Sequence, residues 1–136
     1  EHWTNTTTSE QNDLVNTVKQ ASSLAHSKGF KFLLAPDRQF NSQYIKQLAP
    51  YADVLILQGQ QLQSNPSAFA SWVVPLIDAA KQANPNVQMY VQVITSSDSQ
   101  TMRNAINTIS SKINGIGIWT NAATISTLQS FVSDIR

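Results

Sequence analysis

The residues best suited to chemistry lie at or just after the ends of four short apolar runs. In chain order they are Asp37, Arg38, Gln58, Gln60, Gln92, Thr95, Trp119, Thr120 and Asn121. Amides and hydroxyls exchange hydrogen bonds with sugar hydroxyls, and an indole covers the apolar face of a pyranose ring. The carboxyl group of Asp37 could in addition serve in acid–base catalysis. The set indicates a carbohydrate-binding site with Asp37 as a candidate catalytic residue.

Each of these side chains also has a purely structural explanation. Asp37 follows Pro36, and Pro-Asp is ordinary turn chemistry. Trp119 could be a core residue of a buried strand. Gln58, Gln60 and Gln92 could satisfy one another, because buried amides must be paired.

Composition argues against several other classes of function. Charged residues make up 12% of the chain, about half the usual share, with nine basic and eight acidic side chains. Nucleic-acid binding needs clustered Lys and Arg, and a membrane span needs about 18 consecutive apolar residues; the sequence has neither. With no Cys and two His it predicts no metal site and no cofactor. Its amide- and hydroxyl-rich composition is common in secreted proteins and predicts an extracellular location.

Helical and strand patterns alternate along the chain. Helices are predicted around residues 10–28, 41–49, 67–83, 98–112 and 123–135, and strands at 30–35, 54–57, 87–94 and 113–119. These intervals are typical of consecutive βα units with parallel pairing, and near-continuous apolar strands are typical of a sheet covered on both faces. Residues 1–136 therefore form a single α/β unit, which a polar loop at 1–9 introduces.

Four βα units are half of an eight-stranded (β/α)8 barrel. The alternative is a small doubly wound sheet, but Ala35–Arg38 lacks the Gly-rich phosphate loop that follows the first strand of such a sheet. The chain starts at Glu1 without an initiator Met, and Glu1–Ser9 looks like a loop after an earlier strand. We therefore expect a missing N-terminal half, or a second copy, to complete the barrel.

Two segments resemble the chitinase-like barrels of glycoside hydrolase family 18. The fourth strand of that family ends in acidic residues of which the last is a Glu, as in Glu1-His2-Trp3. Its eighth strand ends in a Trp in a context like Gly115–Thr120. The resemblance implies that the four strands are the fifth to eighth of a barrel and that Glu1 is the general acid. Leu57–Gln60 stands where the family has a Met-Tyr-Asp type segment, so a related glycosidase or an inactive sugar-binding relative is implied rather than a standard chitinase.

The sequence thus predicts a secreted glycoside hydrolase-like half barrel that acts on or binds a carbohydrate. Its candidate catalytic residues are Glu1 and Asp37. Its candidate substrate-binding residues are Trp3, Gln58, Gln60, Gln92, Trp119 and Asn121. A non-catalytic sugar-binding barrel and a self-assembling extracellular protein stay open as alternatives.

Overall fold

The computed structural model describes residues 7–135, apart from the side chain of Gln11. The helices in this part of the chain are α1 (Thr8–Asn12), α2 (Leu14–Ser27), α3 (Arg38–Leu48), α4 (Pro66–Ala83), α5 (Ser99–Asn107) and α6 (Ile125–Asp134). The strands are β1 (Leu33–Leu34), β2 (Val54–Gln58), β3 (Gln88–Ile94) and β4 (Gly115–Trp119). Short 3-10 turns follow α3 and α5 and precede α6. Every predicted helix and strand is present, but the helix predicted around residues 10–28 is divided at Asp13 into α1 and α2.

Side-chain caps determine where the helices begin. Asp37 accepts a hydrogen bond from the Gln39 amide at 2.8 Å, so α3 starts at Arg38 rather than at the predicted residue 41. Thr7 and Glu10 form a capping box that starts α1 at Thr8. The predicted polar loop at 1–9 is therefore wrong at its last two residues, and its first six lie outside the described residues.

The four strands form one parallel sheet in the order β1-β2-β3-β4. This confirms the α/β class with parallel pairing. The order contains no reversal, whereas a doubly wound sheet requires one so that helices cover both faces. The structure therefore differs from a doubly wound sheet.

The core lies on one face of the sheet. Leu55, Leu57, Met89, Val91 and Val93 alternate along β2 and β3 and are fully buried. Side chains from four helices pack against them, namely Ile45 of α3, Phe69, Val73 and Ile77 of α4, Met102 and Ile106 of α5, and Phe131 of α6. The helix layer therefore covers this face.

The opposite face of the sheet, here called the open face, is not covered in the same way. It is formed by Leu33, Val54, Ile56, Gln58, Tyr90, Gln92, Ile94, Gly115, Gly117 and Trp119, all half-buried or exposed. Within the described residues the sheet is therefore covered on one face only, which is compatible with half of a βα barrel. Val54, Ile56 and Ile94 are apolar although no helix of the described chain buries them.

A hydrogen-bonded carboxylate ties α2 to the amino-terminal edge of the sheet. His26 Nε2 lies 2.8 Å from Asp53 Oδ2, and the same oxygen accepts from the Phe32 amide at 2.6 Å. The hydrogen bond to His26, followed by that from Phe32, lowers the pKa of Asp53 below its usual value. A lowered folded-state pKa stabilises the fold above the ordinary carboxyl pKa, and this contribution is lost as the pH falls below about 4.

Replacing Asp53 by alanine is expected to lower the free energy of unfolding by about 1 kcal/mol at neutral pH. The value is modest because the Asp53 side chain is 37% exposed and solvent screens the interaction. Urea unfolding at pH 7 and pH 3 checks it: the difference from wild type should shrink at the lower pH. The matched control is Asp78→Ala, which removes the exposed pair with Lys112. Equal losses for the two variants would contradict a specific role of Asp53.

Candidate functional site

Three of the predicted site residues meet at the carboxyl-terminal edge of the open face. Gln58 and Gln92 are register partners on neighbouring strands, and Gly117 stands beside Gln92 on the third. Trp119 follows two residues later on β4, opposite Ile94. Because side chains two apart on a strand share a face, Gln58, Gln92 and Trp119 all project from the same side of the sheet.

Trp119 is an exposed aromatic side chain on a firmly held backbone. Trp119 is 56% exposed to solvent. The Thr95 amide donates to the Trp119 carbonyl at 3.0 Å, and the Thr95 hydroxyl reaches the same oxygen at 3.3 Å. Thr95 is itself buried and hydrogen-bonded to the hydroxyls of Thr120 and Thr124. The explanation of Trp119 as a buried core residue therefore fails, and the arrangement suits stacking on a ligand.

The two register-partner glutamines have different surroundings. Gln58 donates from Nε2 to the carbonyl oxygens of Ala35 at 2.9 Å and Pro36 at 3.3 Å, so it anchors the loop after β1. Gln92 is half-buried, and its side-chain carboxamide makes no hydrogen bond within residues 7–135. The two side-chain carboxamides therefore do not hydrogen-bond to each other, and the carboxamide of Gln92 is available to a ligand.

Of Gln60 and Asn121, only Asn121 has a side chain that the described residues engage. The side-chain oxygen of Gln60 is buried and accepts no hydrogen bond from the described residues. Asn121 Oδ1 accepts from the Ala123 amide at 2.9 Å and so caps the turn before α6. Asn121 lies next to the Trp119–Thr120 segment, whereas the Gln60 oxygen faces protein rather than solvent.

Asp37 lies on the helix side of the same edge. Its carboxylate caps α3 and lines a groove of about 430 Å³ between α3 and α4, whose lining is Asp37, Arg38, Gln39, Ser42, Gln61 and Trp72. In that groove the Arg38 guanidinium lies 5.3 Å from the centroid of the Trp72 ring, and Trp72 Nε1 donates to Ser42. The structure does not bring the Asp37 carboxylate to the open face. Glu1 and Trp3 lie outside the described residues.

Sequence reasoning missed Gln63, which completes the sheet where β2 has ended. Its Nε2 donates to the Ile94 carbonyl at 2.7 Å, and its Oε1 accepts from the Ile94 amide at 2.9 Å. The carboxamide thus replaces a missing strand partner, and the residue is only 1% exposed. The amide-rich loop 60–66 was the only signal, and it did not distinguish Gln63 from its neighbours.

The carboxylates whose pKa is clearly shifted are held as caps or ties. Hydrogen bonds from Thr7 lower the pKa of Glu10, and those from Thr101 lower the pKa of Asp98. The general acid of a glycosidase needs a raised pKa, so that its carboxyl group carries a proton to donate. Within residues 7–135 no three His, Cys, Asp or Glu side chains are grouped so that they could hold a metal ion. None of the described helices combines the length and apolarity needed to cross a membrane.

Comparisons with known proteins add no assignment. No protein-family model matches the chain, and no curated protein or solved structure gives a significant match. The resemblance to chitinase-like barrels stays a prediction.

Proposed function

We propose that the chain binds an uncharged carbohydrate at the carboxyl-terminal edge of its open face. The observation that carries this proposal is the exposed indole of Trp119 on the same face as Gln58 and Gln92. An indole on a rigid backbone covers the apolar face of a sugar ring, and a free carboxamide both donates to and accepts from sugar hydroxyls.

The charge of the open face selects the class of carbohydrate. None of its described residues is Asp, Glu, Lys, Arg or His. An anionic sugar would therefore lose hydration without gaining a cationic partner, which is costly for a charged group. The ligand is a neutral saccharide.

We further propose that the chain is half of a (β/α)8-type barrel, corresponding to strands five to eight, in an extracellular protein related to chitinase-like glycoside hydrolases. Three features support this: four parallel strands in sequential order, a helix layer on one face, and apolar side chains on the other. In a closed barrel the inner face is packed and every strand edge is paired. A missing N-terminal half, or a second copy of the chain, would supply both.

The binding proposal is tested by titrating the protein with a panel of neutral oligosaccharides while tryptophan emission is recorded, with calorimetry to measure affinity. At least one saccharide is expected to give a saturable response. A panel of anionic oligosaccharides of matched length should bind more weakly. No response across the neutral panel would contradict the proposal.

The catalytic form of the proposal gives Glu1 the role of general acid and rests on the family resemblance. Glu1→Gln is expected to abolish hydrolysis of a chromogenic oligosaccharide and to leave saccharide affinity unchanged. Wild-type binding without turnover across the panel would identify the protein as a non-catalytic sugar-binding barrel instead.

Placing a charge on the open face is expected to break the assembly that closes the barrel. Wild type should sediment above the 15.0 kDa of one chain, and Ile56→Lys should sediment as a single chain because an unpaired ammonium would be buried at the interface. The matched control is Gln82→Lys on the exposed surface of α4, which should assemble like wild type. A wild-type protein that sediments as a lone 15.0 kDa chain would contradict completion by a second copy.

A further inference from the structure

Strand β4 presents an unusually bare surface to the open face. Its three positions on that face are Gly115, Gly117 and Trp119, so only the last carries a side chain. Glycine within a strand is less favourable than alanine, and it often marks a place where a ligand or another backbone approaches closely. Gly115 and Gly117 are neighbours on this face of β4, and two neighbouring glycines require an explanation.

Packing explains only the first of these glycines. A Cβ on Gly115 would lie 2.5 Å from Cε2 of Tyr90, so the Tyr90 ring needs the glycine beneath it. A Cβ on Gly117 would meet only the Cα, Cβ and Cγ atoms of Gln92, all at an ordinary contact distance of 3.8 Å. Gly117 does not have a positive φ either. Neither packing nor backbone conformation in the described chain requires glycine at position 117.

The empty position is bounded by groups that suit a sugar. Gln92 is the register partner of Gly117 on the neighbouring strand β3, at the usual strand spacing of about 4.8 Å. Its side-chain carboxamide makes no hydrogen bond with a described residue. Trp119 lies two residues further along β4, about 6.6 Å from Gly117 along the strand, and it is exposed. The result is a notch with a backbone floor at Gly117, an amide wall and an aromatic wall.

We propose that this notch seats one uncharged pyranose unit of the ligand and that the missing side chain at Gly117 determines whether the sugar fits. The ring lies over Gly117 and against the Trp119 indole, and its hydroxyls exchange hydrogen bonds with Gln92. This subsite rests on the proposed carbohydrate binding and adds a specificity-determining residue to it.

Substitutions that fill the notch without disturbing the fold test this subsite. Gly117→Ala and Gly117→Val are titrated with the neutral oligosaccharide that gives the strongest response in wild type. Gly117→Ala is expected to bind about tenfold more weakly, and Gly117→Val more weakly still, because each added methyl group takes up ligand space. The melting temperature of Gly117→Ala should equal or exceed that of wild type, since alanine is the better strand residue and meets no clash.

The matched control separates affinity from stability. Gly29 follows α2 and has a φ of 75°, where nothing lies within 4 Å of an added Cβ. Gly29→Ala is therefore expected to lower the melting temperature through backbone strain while leaving saccharide affinity unchanged.

Three outcomes would overturn the subsite. If wild type binds saccharide and Gly117→Ala binds equally well, the notch is not a subsite, although the proposed function stands. If Gly117→Ala changes the sedimenting mass in the absence of sugar, the space belongs to a neighbouring backbone. If wild type binds no saccharide, the subsite and the proposed function both fail.

Discussion

Trp119→Ala is expected to weaken saccharide binding about 30-fold or more. The substitution removes the aromatic platform of the proposed site, and loss of a central aromatic contact typically costs about 2 kcal/mol or more of binding free energy. The fold should hardly change, because Trp119 is 56% exposed and exposed substitutions stay within about 0.5 kcal/mol. Calorimetry is the right measurement, since the variant also removes a fluorescent reporter.

Two further variants make this result specific to the site. Trp119→Phe keeps an aromatic face and should retain part of the affinity. Phe30→Ala removes an aromatic side chain that is 67% exposed and precedes β1 at the opposite edge of the sheet, so it should bind like wild type. Unchanged affinity in Trp119→Ala, with wild-type binding established, would show that the sugar binds elsewhere.

Phe69→Ala is expected to cause the largest loss of stability among these substitutions. Phe69 is fully buried near the start of α4, and its ring packs so closely on Gly59 that a Cβ there would lie 2.6 Å from Cε2. Truncating such a ring leaves a cavity and costs about 3–5 kcal/mol, a large part of the 5–15 kcal/mol typical of a domain. Urea unfolding followed by circular dichroism measures the loss.

The same substitution should also weaken saccharide binding, because Gly59 immediately follows Gln58. Phe131→Ala provides the control, because Phe131 is also fully buried but lies in α6. This variant should lose comparable stability, and its saccharide affinity should fall less than that of Phe69→Ala. Phe30→Ala, which is exposed, should lose almost none. A Phe69→Ala variant as stable as Phe30→Ala would contradict the core described above.

Most helices and strands could be predicted because their signals are local. For example, Asp98 accepts a hydrogen bond from the Thr101 amide and so caps α5 at the start of the helix predicted around residues 98–112. The helix predicted at 67–83 is observed as the continuous helix α4, although Pro75 lies inside it. β1 is the main difference, since only Leu33 and Leu34 pair with the single neighbouring strand β2 although the apolar pattern covers 30–35.

The roles of the glutamines could not be predicted. Gln58, Gln63 and Gln92 carry the same side-chain amide, yet the first anchors a loop, the second completes a strand and the third makes no side-chain hydrogen bond within the described residues. The first two roles depend on partners more than twenty residues away, namely Ala35 for Gln58 and Ile94 for Gln63. No local pattern in the sequence contains that information.

The sequence by itself determined the alternation of helices and strands, the parallel pairing that βα intervals impose, and the gathering of polar residues at strand ends. These follow from hydrophobic periodicity, helix caps and short connections, all of which act within a few residues. Only the tertiary structure decided that helices cover one face, that Asp37 turns to the helix layer, and that Gly117 leaves a gap between Gln92 and Trp119. Those outcomes depend on register and packing between segments far apart in the chain, and so they exist only once the sheet has formed.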